Sequence, residues 1–371
     1  MKWVVLLARH ETSRVKMESI ARALRDDGTF TPEIWYIKPR ERSLIGLWLD
    51  YRAYLTRLRM FNPVAVFIPG DRELSPVPPF IKAARKLGIP VINAALGSPY
   101  LEGIVLPRIG DKRFTPNSLV ARLFPAQIRD GIMFSPTSVI LKHAILGMLS
   151  PNPWIQGGGF SDYVLHSDPV RCAAAVAIGL GQEKILMTGD PSLDELHREL
   201  SVNPKKDIAV LFSMPNDAEH GLCHMAEHLD RMQSYLAVMP KHTVISLHPK
   251  SRRENYEPLG FDISNDPLTK LLPRAKLYVC STTSTVAWAK LCAVPVINLD
   301  YWNIADDDFR DCVNVKAPQE LKIALQSTIE PVSVAPPTFD GKSGQRIVDF
   351  LKGLGTKPSP LPEPERSHRK K

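Results

Sequence analysis

Short apolar runs alternate with amphipathic stretches along most of this chain. Residues 3–8 form an unbroken apolar run, and residues 11–24 carry Val15, Ile20, Ala23 and Leu24 among charges at helical spacing. A strand followed by a helix is predicted. The pattern continues with strands at 33–37, 64–68 and 90–94 and helices at 44–60 and 79–87. Between 96 and 136 the period is lost and Gly and Pro accumulate, which predicts a long functional loop region. A helix at 138–149, a Pro and Gly punctuated joint at 151–159, a strand at 161–166, an Ala-rich helix at 169–179 and a strand at 184–188 follow. Strands alternating with helices argue for parallel, doubly wound sheets.

The alternation restarts after a crossing placed between 180 and 206. Strands are predicted at 207–212, 243–247, 261–263, 276–280, 294–299 and 313–316, with helices at 219–238, 268–272, 286–292, 319–327 and 344–354. The expected organisation is an α/β chain of two Rossmann-like lobes, 1–180 and 181–355, facing a cleft. Residues 356–371 are rich in Pro and charge, lack core-forming side chains and read as a disordered basic tail.

Composition narrows the partners. The chain has 371 residues, long for one core, and 44% apolar content with 23% charge describes a soluble globular protein. No apolar run is long enough to span a bilayer and no export signal precedes residue 8, so a cytoplasmic protein is expected. Five cysteines without paired spacing support neither a disulfide framework nor a zinc site. The net charge of +8 favours an anionic partner, part of the excess lying in the tail. No recognised nucleic-acid module is present, and a homodimer is admitted but not required.

Candidate chemistry collects where predicted strands end, the edge on which open α/β sheets bind ligands. Ser281, Thr282, Thr283, Ser284 and Thr285 follow one strand and precede a helix, a place suited to phosphate or to simple helix capping. His248, before Pro249 and Lys250, follows another strand and is expected on the same edge, as a phosphate contact or as a histidine ordering its turn. In the first half, Arg9 and Glu11 follow the opening strand, Lys16 lies on the next helix, and Asp71 and Glu73 follow the third strand. Asp71 either takes a proton or caps the helix after it. His220, His224 and His228 recur at helical spacing without a matching carboxylate motif. Asp306, Asp307 and Asp308 read as a solvated acidic loop. Residues 40–61 interleave Arg with Leu, Trp, Tyr and Phe, a pattern fit either for an anionic lipid surface or for an ordinary core helix with a basic outside.

Four pieces of the chain, in order, resemble the GT-B superfamily and within it the hydrolysing UDP-N-acetylglucosamine 2-epimerases. Arg9-His10-Glu11 with Val15-Lys16-Met17 is similar to that family's opening Arg-Pro-Glu and Ile-Lys-Met pattern. Gly70-Asp71-Arg72-Glu73 resembles its Gly-Asp motif after the third strand. Leu186-Met187-Thr188-Gly189-Asp190 with Asp194 is similar to its domain-crossing segment, and residues 280–296 resemble its Ser-Gly-Gly loop and following strand. Departures accompany these matches: family glutamates fall on Ala287 and Trp288 and near Ala94 or Ala95, and the family's catalytic histidine falls on Ser213-Met214-Pro215.

His248-Pro249 with the Ser/Thr cluster is also similar to GT-B sialyl- and Kdo-transferases. That resemblance implies that the imidazole and hydroxyls grip the donor phosphate as it leaves, where fixed donors lower the barrier. Such a transferase needs a carboxylate to take the acceptor proton, with Asp71 and Glu73 as candidates and Glu11 behind them. Arg9 and Lys16 are phosphate candidates, and no metal or cofactor is required. The expectation is a glycosyltransferase moving a sugar from a nucleotide-sugar donor to a surface-polysaccharide or lipid-linked glycan acceptor, with peripheral contact at the inner face of a membrane through residues 40–61 as a further expectation. The alternatives are a UDP-N-acetylglucosamine 2-epimerase-like enzyme and a catalytically silent nucleotide-binding relative.

Overall fold

The computed structural model describes residues 2–9, 11–37, 42–72, 77–94, 111–202, 204–219, 221–281, 283–303, 309–333 and 335–354, without the side chains of Glu11 and Thr12. Two six-stranded parallel sheets dominate it. The first has the order β2 (Phe30–Tyr36), β1 (Lys2–Ala8), β3 (Ala65–Ile68), β4 (Val91–Asn93), β7 (Tyr163–His166) and β8 (Ile185–Met187). The second has the order β11 (Asp262–Ile263), β10 (Val244–Ser246), β9 (Leu211–Ser213), β12 (Tyr278–Cys280), β13 (Val296–Leu299) and β14 (Val313–Val315). A small antiparallel hairpin, β5 (Ile128–Arg129) with β6 (Ile132–Met133), lies in the stretch expected to be loop.

Burial explains why these runs became strands. Val4 to Ala8 on β1 are all fully buried, and alternate residues serve opposite faces. Val4, Leu6 and Ala8 join helix α1 (Glu11–Asp27) and the C-terminal helix Ser343–Leu354 in one core. Val5 and Leu7 join helix α2 (Leu44–Phe61) and helix α3 (Val77–Lys86) in another. The second sheet is flanked in the same way by two further cores. Each sheet is therefore doubly wound, as the alternation predicted.

The division at residue 180 does not coincide with the sheets. β8 pairs in parallel with β7, so the first sheet ends at Met187. The C-terminal helix, expected in the second lobe, returns to the first, with Ile347, Val348 and Leu351 buried against α1 residues. Asp194 anchors its start: its carboxylate accepts from Ser343 N at 3.1 Å and Gly344 N at 2.8 Å. This satisfies otherwise orphaned amides at the helix N-terminus.

The helix expected over 219–238 begins only at Met225. Gly221 has φ +73 and Leu222 N donates to Asp217 O at 2.9 Å, so the chain turns before the helix starts. His224 is thus the N-cap residue, His220 lies outside the described residues, and His228 is the member of the spaced triplet carried within the helix.

Candidate functional site

Strand order reverses direction at one point in each sheet, between β1 and β3 and between β9 and β12. Loops leaving the carboxyl ends of these strands diverge to opposite faces and open a crevice where ligands of doubly wound sheets bind. In the first sheet the register Leu6↔Phe67 brings the ends of β1 and β3 level, so Arg9 and the Gly70-Asp71-Arg72 segment share one crevice. In the second sheet Val279↔Phe212 does the same for Ser281 and the segment from Ser213 to Asp217.

At the first crevice Asp71 is 3% exposed and its carboxylate is fully engaged. Oδ1 accepts from Asn93 Nδ2 at 3.0 Å and Gly157 N at 2.9 Å, while Oδ2 accepts from Gly159 N at 3.1 Å and Ser161 Oγ at 2.6 Å. Close approach is why the chain has glycines there. A Cβ at Gly159 would sit 2.8 Å from Asp71 Oδ2, and Gly157 has φ +86 with Val164 Cγ2 2.3 Å from where its Cβ would be. Asp71 ties a loop to the sheet; neither a capped helix nor a solvent-facing base describes this geometry.

Arg72 beside it is different. Its guanidinium is largely desolvated, which pulls its pKa down to about 10, with the Asp71 charge opposing the shift. Its buried Nε has no hydrogen-bond partner among the described residues. The Asp71 oxygens that would answer it are occupied by four other donors. Burial also lowers the Arg9 pKa, and Arg9 N donates to Ser13 Oγ at 2.9 Å. Two guanidinium groups removed from water at one strand-end crevice create a strong field for an anion.

The second crevice is built around Asp217, which the sequence did not single out. Its Oδ2 accepts from Tyr301 Oη at 2.6 Å and Trp302 Nε1 at 3.1 Å. Arg231 Nη1 lies 3.9 Å and His228 Nδ1 3.8 Å from the same oxygen. The Arg231 guanidinium also sits over the Trp302 ring at 4.6 Å and the Tyr301 ring at 4.9 Å. Burial and then the Asp217 charge push the Tyr301 phenol up, so it stays a donor. His228 is completely buried and held below the ordinary histidine range by desolvation, with Asp217 opposing. Next to it Tyr256 Oη donates to Glu219 Oε1 at 2.9 Å.

The hydroxyl-rich turn spends much of its polarity internally. Ser281 Oγ donates to Leu299 O at 2.9 Å, and Thr285 Oγ1 pairs with Tyr278 Oη at 2.6 Å and Thr283 Oγ1 at 3.1 Å. Val286 N and Trp288 N already donate to Thr283 O and Thr285 O. Ser284 is the exposed hydroxyl of the turn, and Thr282 lies outside the described residues. His248 lies on the same edge of the same sheet as this turn. It follows β10, β9 lies between β10 and β12, and two strand spacings separate them by about 10 Å. Its Nδ1 accepts from Lys250 N at 3.1 Å, which orders the His-Pro-Lys turn. Lys16 is half-exposed on α1; Glu73, the side chain of Glu11 and residues 306–308 lie outside the described residues.

The structure thus brings together Arg9, Asp71 and Arg72 at one crevice and Ser281 with Thr283, Ser284 and Thr285 at the other, with His248 after β10, two strand spacings from β12. Among the described residues no cluster of His, Cys, Asp or Glu is arranged for a metal ion.

No family model and no curated protein matches the chain. Solved structures do. The UDP-GlcNAc 2-epimerase from Neisseria meningitidis bound to UDP-GlcNAc superposes with a TM-score of 0.56 at 11% identity, covering 95% of this chain and 100% of its own. The S. aureus MnaA–UDP co-structure gives 0.55 at 13% identity over 98% of this chain and 100% of its own. The UDP-GlcNAc 2-epimerase from Methanocaldococcus jannaschii gives 0.53 at 14% identity over 95% and 100%. The fold is GT-B.

Proposed function

We propose that this protein is a GT-B glycosyltransferase that binds a nucleotide-sugar donor with its phosphates against Arg9 and Arg72. The observation that carries this reading is Arg72: a desolvated guanidinium at a strand-order switch point, without a hydrogen-bond partner for its buried Nε among the described residues. A nucleotide phosphate supplies the missing charge and acceptors. In a GT-B fold the second switch point faces the same cleft, and the Ser281 turn with the Asp217 cluster would receive the nucleoside side of the donor. Two structures of this fold were solved with UDP-GlcNAc or UDP bound, which supports a ligand of the same class here.

In the transfer, the acceptor hydroxyl oxygen bonds to the anomeric carbon as the bond to the phosphate oxygen breaks. The electron pair leaves on the phosphate, where the arginines meet the developing charge. The hydroxyl proton passes to a carboxylate, for which Glu11 and Glu73 are proposed; Asp71 acts as a positioning residue for the crevice. The reading invokes no metal, and it takes a glycan or lipid-linked acceptor.

A 2-epimerase-like reaction is the second reading, favoured by the fold itself. Against it stand Ala94 at 1% exposure and Met214 at 2%, apolar residues near positions where an epimerase needs acids and bases. Incubation with UDP-, GDP- and CMP-activated sugars separates the two. Transfer predicts nucleotide release that depends on a glycan or lipid-linked acceptor. Release from UDP-GlcNAc alone with a free C2-inverted sugar would replace it by epimerisation.

A further inference from the structure

Helix α2 presents two unlike faces. Leu47, Leu55 and Leu58 are buried, whereas Leu44, Ile45, Trp48 and Leu49 are exposed, Ile45 to 70% and Leu49 to 54%. At helical spacing these four exposed positions, together with Arg52 and Arg59, fall within an arc of about 140°, one edge of which also holds the buried Leu55. The carboxylate of the helix, Asp50, lies outside that arc and is held by Arg42 through hydrogen bonds of 2.7 and 2.8 Å. The arc therefore carries apolar groups and cations and no helix carboxylate.

The helix Thr137–Ile145 is linked to the start of this region. Lys142 Nζ donates to Arg42 O at 3.1 Å, tying that helix to the segment just before α2, and Leu141 and Ile145 are exposed, the latter to 70%. The Arg52 guanidinium lies over the Trp48 ring at 5.6 Å, so cation and indole share one exposed patch. Four exposed large apolar side chains on one helical arc, with two more on the tied helix, exceed the scattered singles of an ordinary surface.

We propose that this face docks the first lobe onto a membrane surface containing anionic phospholipid. Trp48 with Leu and Ile neighbours suits the headgroup–acyl boundary, and Arg52 and Arg59 suit the phosphates above it. A second copy is the poorer match, because a self-complementary contact would bring the arginines of one copy near those of the other with no carboxylate in the arc to answer them. The net charge of +8 adds attraction of the same sign. The inference stands apart from the nucleotide reading, since it uses none of the crevice residues.

Co-sedimentation of the full chain with phosphatidylcholine vesicles, with and without roughly one part in four phosphatidylglycerol, tests it. The wild type is expected to pellet with the anionic vesicles and to be released as salt rises. Ile45→Glu and Ile145→Glu should each lower partitioning about tenfold, the loss of one buried aliphatic anchor. Arg52→Glu with Arg59→Glu should erase the preference for anionic over neutral vesicles. Val202→Glu, an equally exposed apolar site elsewhere at 70%, should bind as wild type, and unchanged melting curves show that each variant folds. The proposal is overturned if the wild type ignores anionic vesicles or Ile45→Glu binds like Val202→Glu. It is also overturned if Ile45→Glu dissolves a dimer seen by light scattering without any vesicle binding, which would give the face to a second copy.

Discussion

Asp71 and Asp217 occupy corresponding places, each just past a strand that borders the switch point of its sheet, and both are nearly buried. They are used in opposite ways. Asp71 divides both oxygens among four donors, two of them backbone amides of a glycine-rich loop, so its bonds fix the path of the chain. Asp217 gathers side chains: Tyr301 and Trp302 bond one oxygen, with Arg231 and His228 held just beyond bonding distance. The first carboxylate is saturated by donors other than Arg72, whose buried Nε has no partner among the described residues. The second holds a set of titratable and aromatic side chains together through one oxygen.

The largest effect that tests this contrast is on stability at Asp71. Asp71→Asn turns one acceptor oxygen into a donor facing amide or hydroxyl donors, and should cost about 3 kcal/mol in urea unfolding. A base acting in solvent would instead lose turnover at unchanged stability. Gly159→Ala, pressed against the same carboxylate, should destabilise less than additively in the Asp71→Asn background, because the two sites are in contact.

Asp217→Asn should be milder, about 1 to 2 kcal/mol, since the amide oxygen still accepts from Tyr301 or Trp302. Its clearer sign is a shifted Trp302 fluorescence with the sheet intact. A cost equal to that of Asp71→Asn would remove the distinction between the two carboxylates.

The smallest effect is a pH slope. His228 and His166 both have pKa values depressed by burial, so the unfolded chain binds more protons than the folded one between the lowered values and about 6.5. Stability is complete above that range and falls as pH drops through it. His228→Gln should flatten the fall in a melting-temperature series. An unchanged slope would assign it to His166 or to other groups.

Much of the scaffold was legible because strands buried on both faces are continuous apolar runs, as in residues 4–8 and 65–68. Arg9 and the Gly70-Asp71-Arg72 segment were visible as polar residues directly after such runs. What the chain order hides is lateral strand order. β10 follows β9 in sequence and β12 comes later, yet β9 lies between them, which parts His248 from the Ser281 turn. The Asp217 cluster was equally hidden, since residues 217, 228, 231, 301 and 302 meet through packing and share no spacing. Gly157, Gly158 and Gly159 read in the sequence only as part of a joint, and only with Asp71 in place do they show a tight approach of backbone to a carboxylate.

Calorimetric titration of UDP, CDP and GDP into the wild type and Arg72→Gln tests the central claim most directly. One saturable site is predicted for a nucleoside diphosphate, weakened about tenfold or more by Arg72→Gln while the unfolding midpoint holds, as the loss of a charge-assisted contact requires. Equal affinity in both proteins, or no binding of any of the three to the wild type, would contradict it.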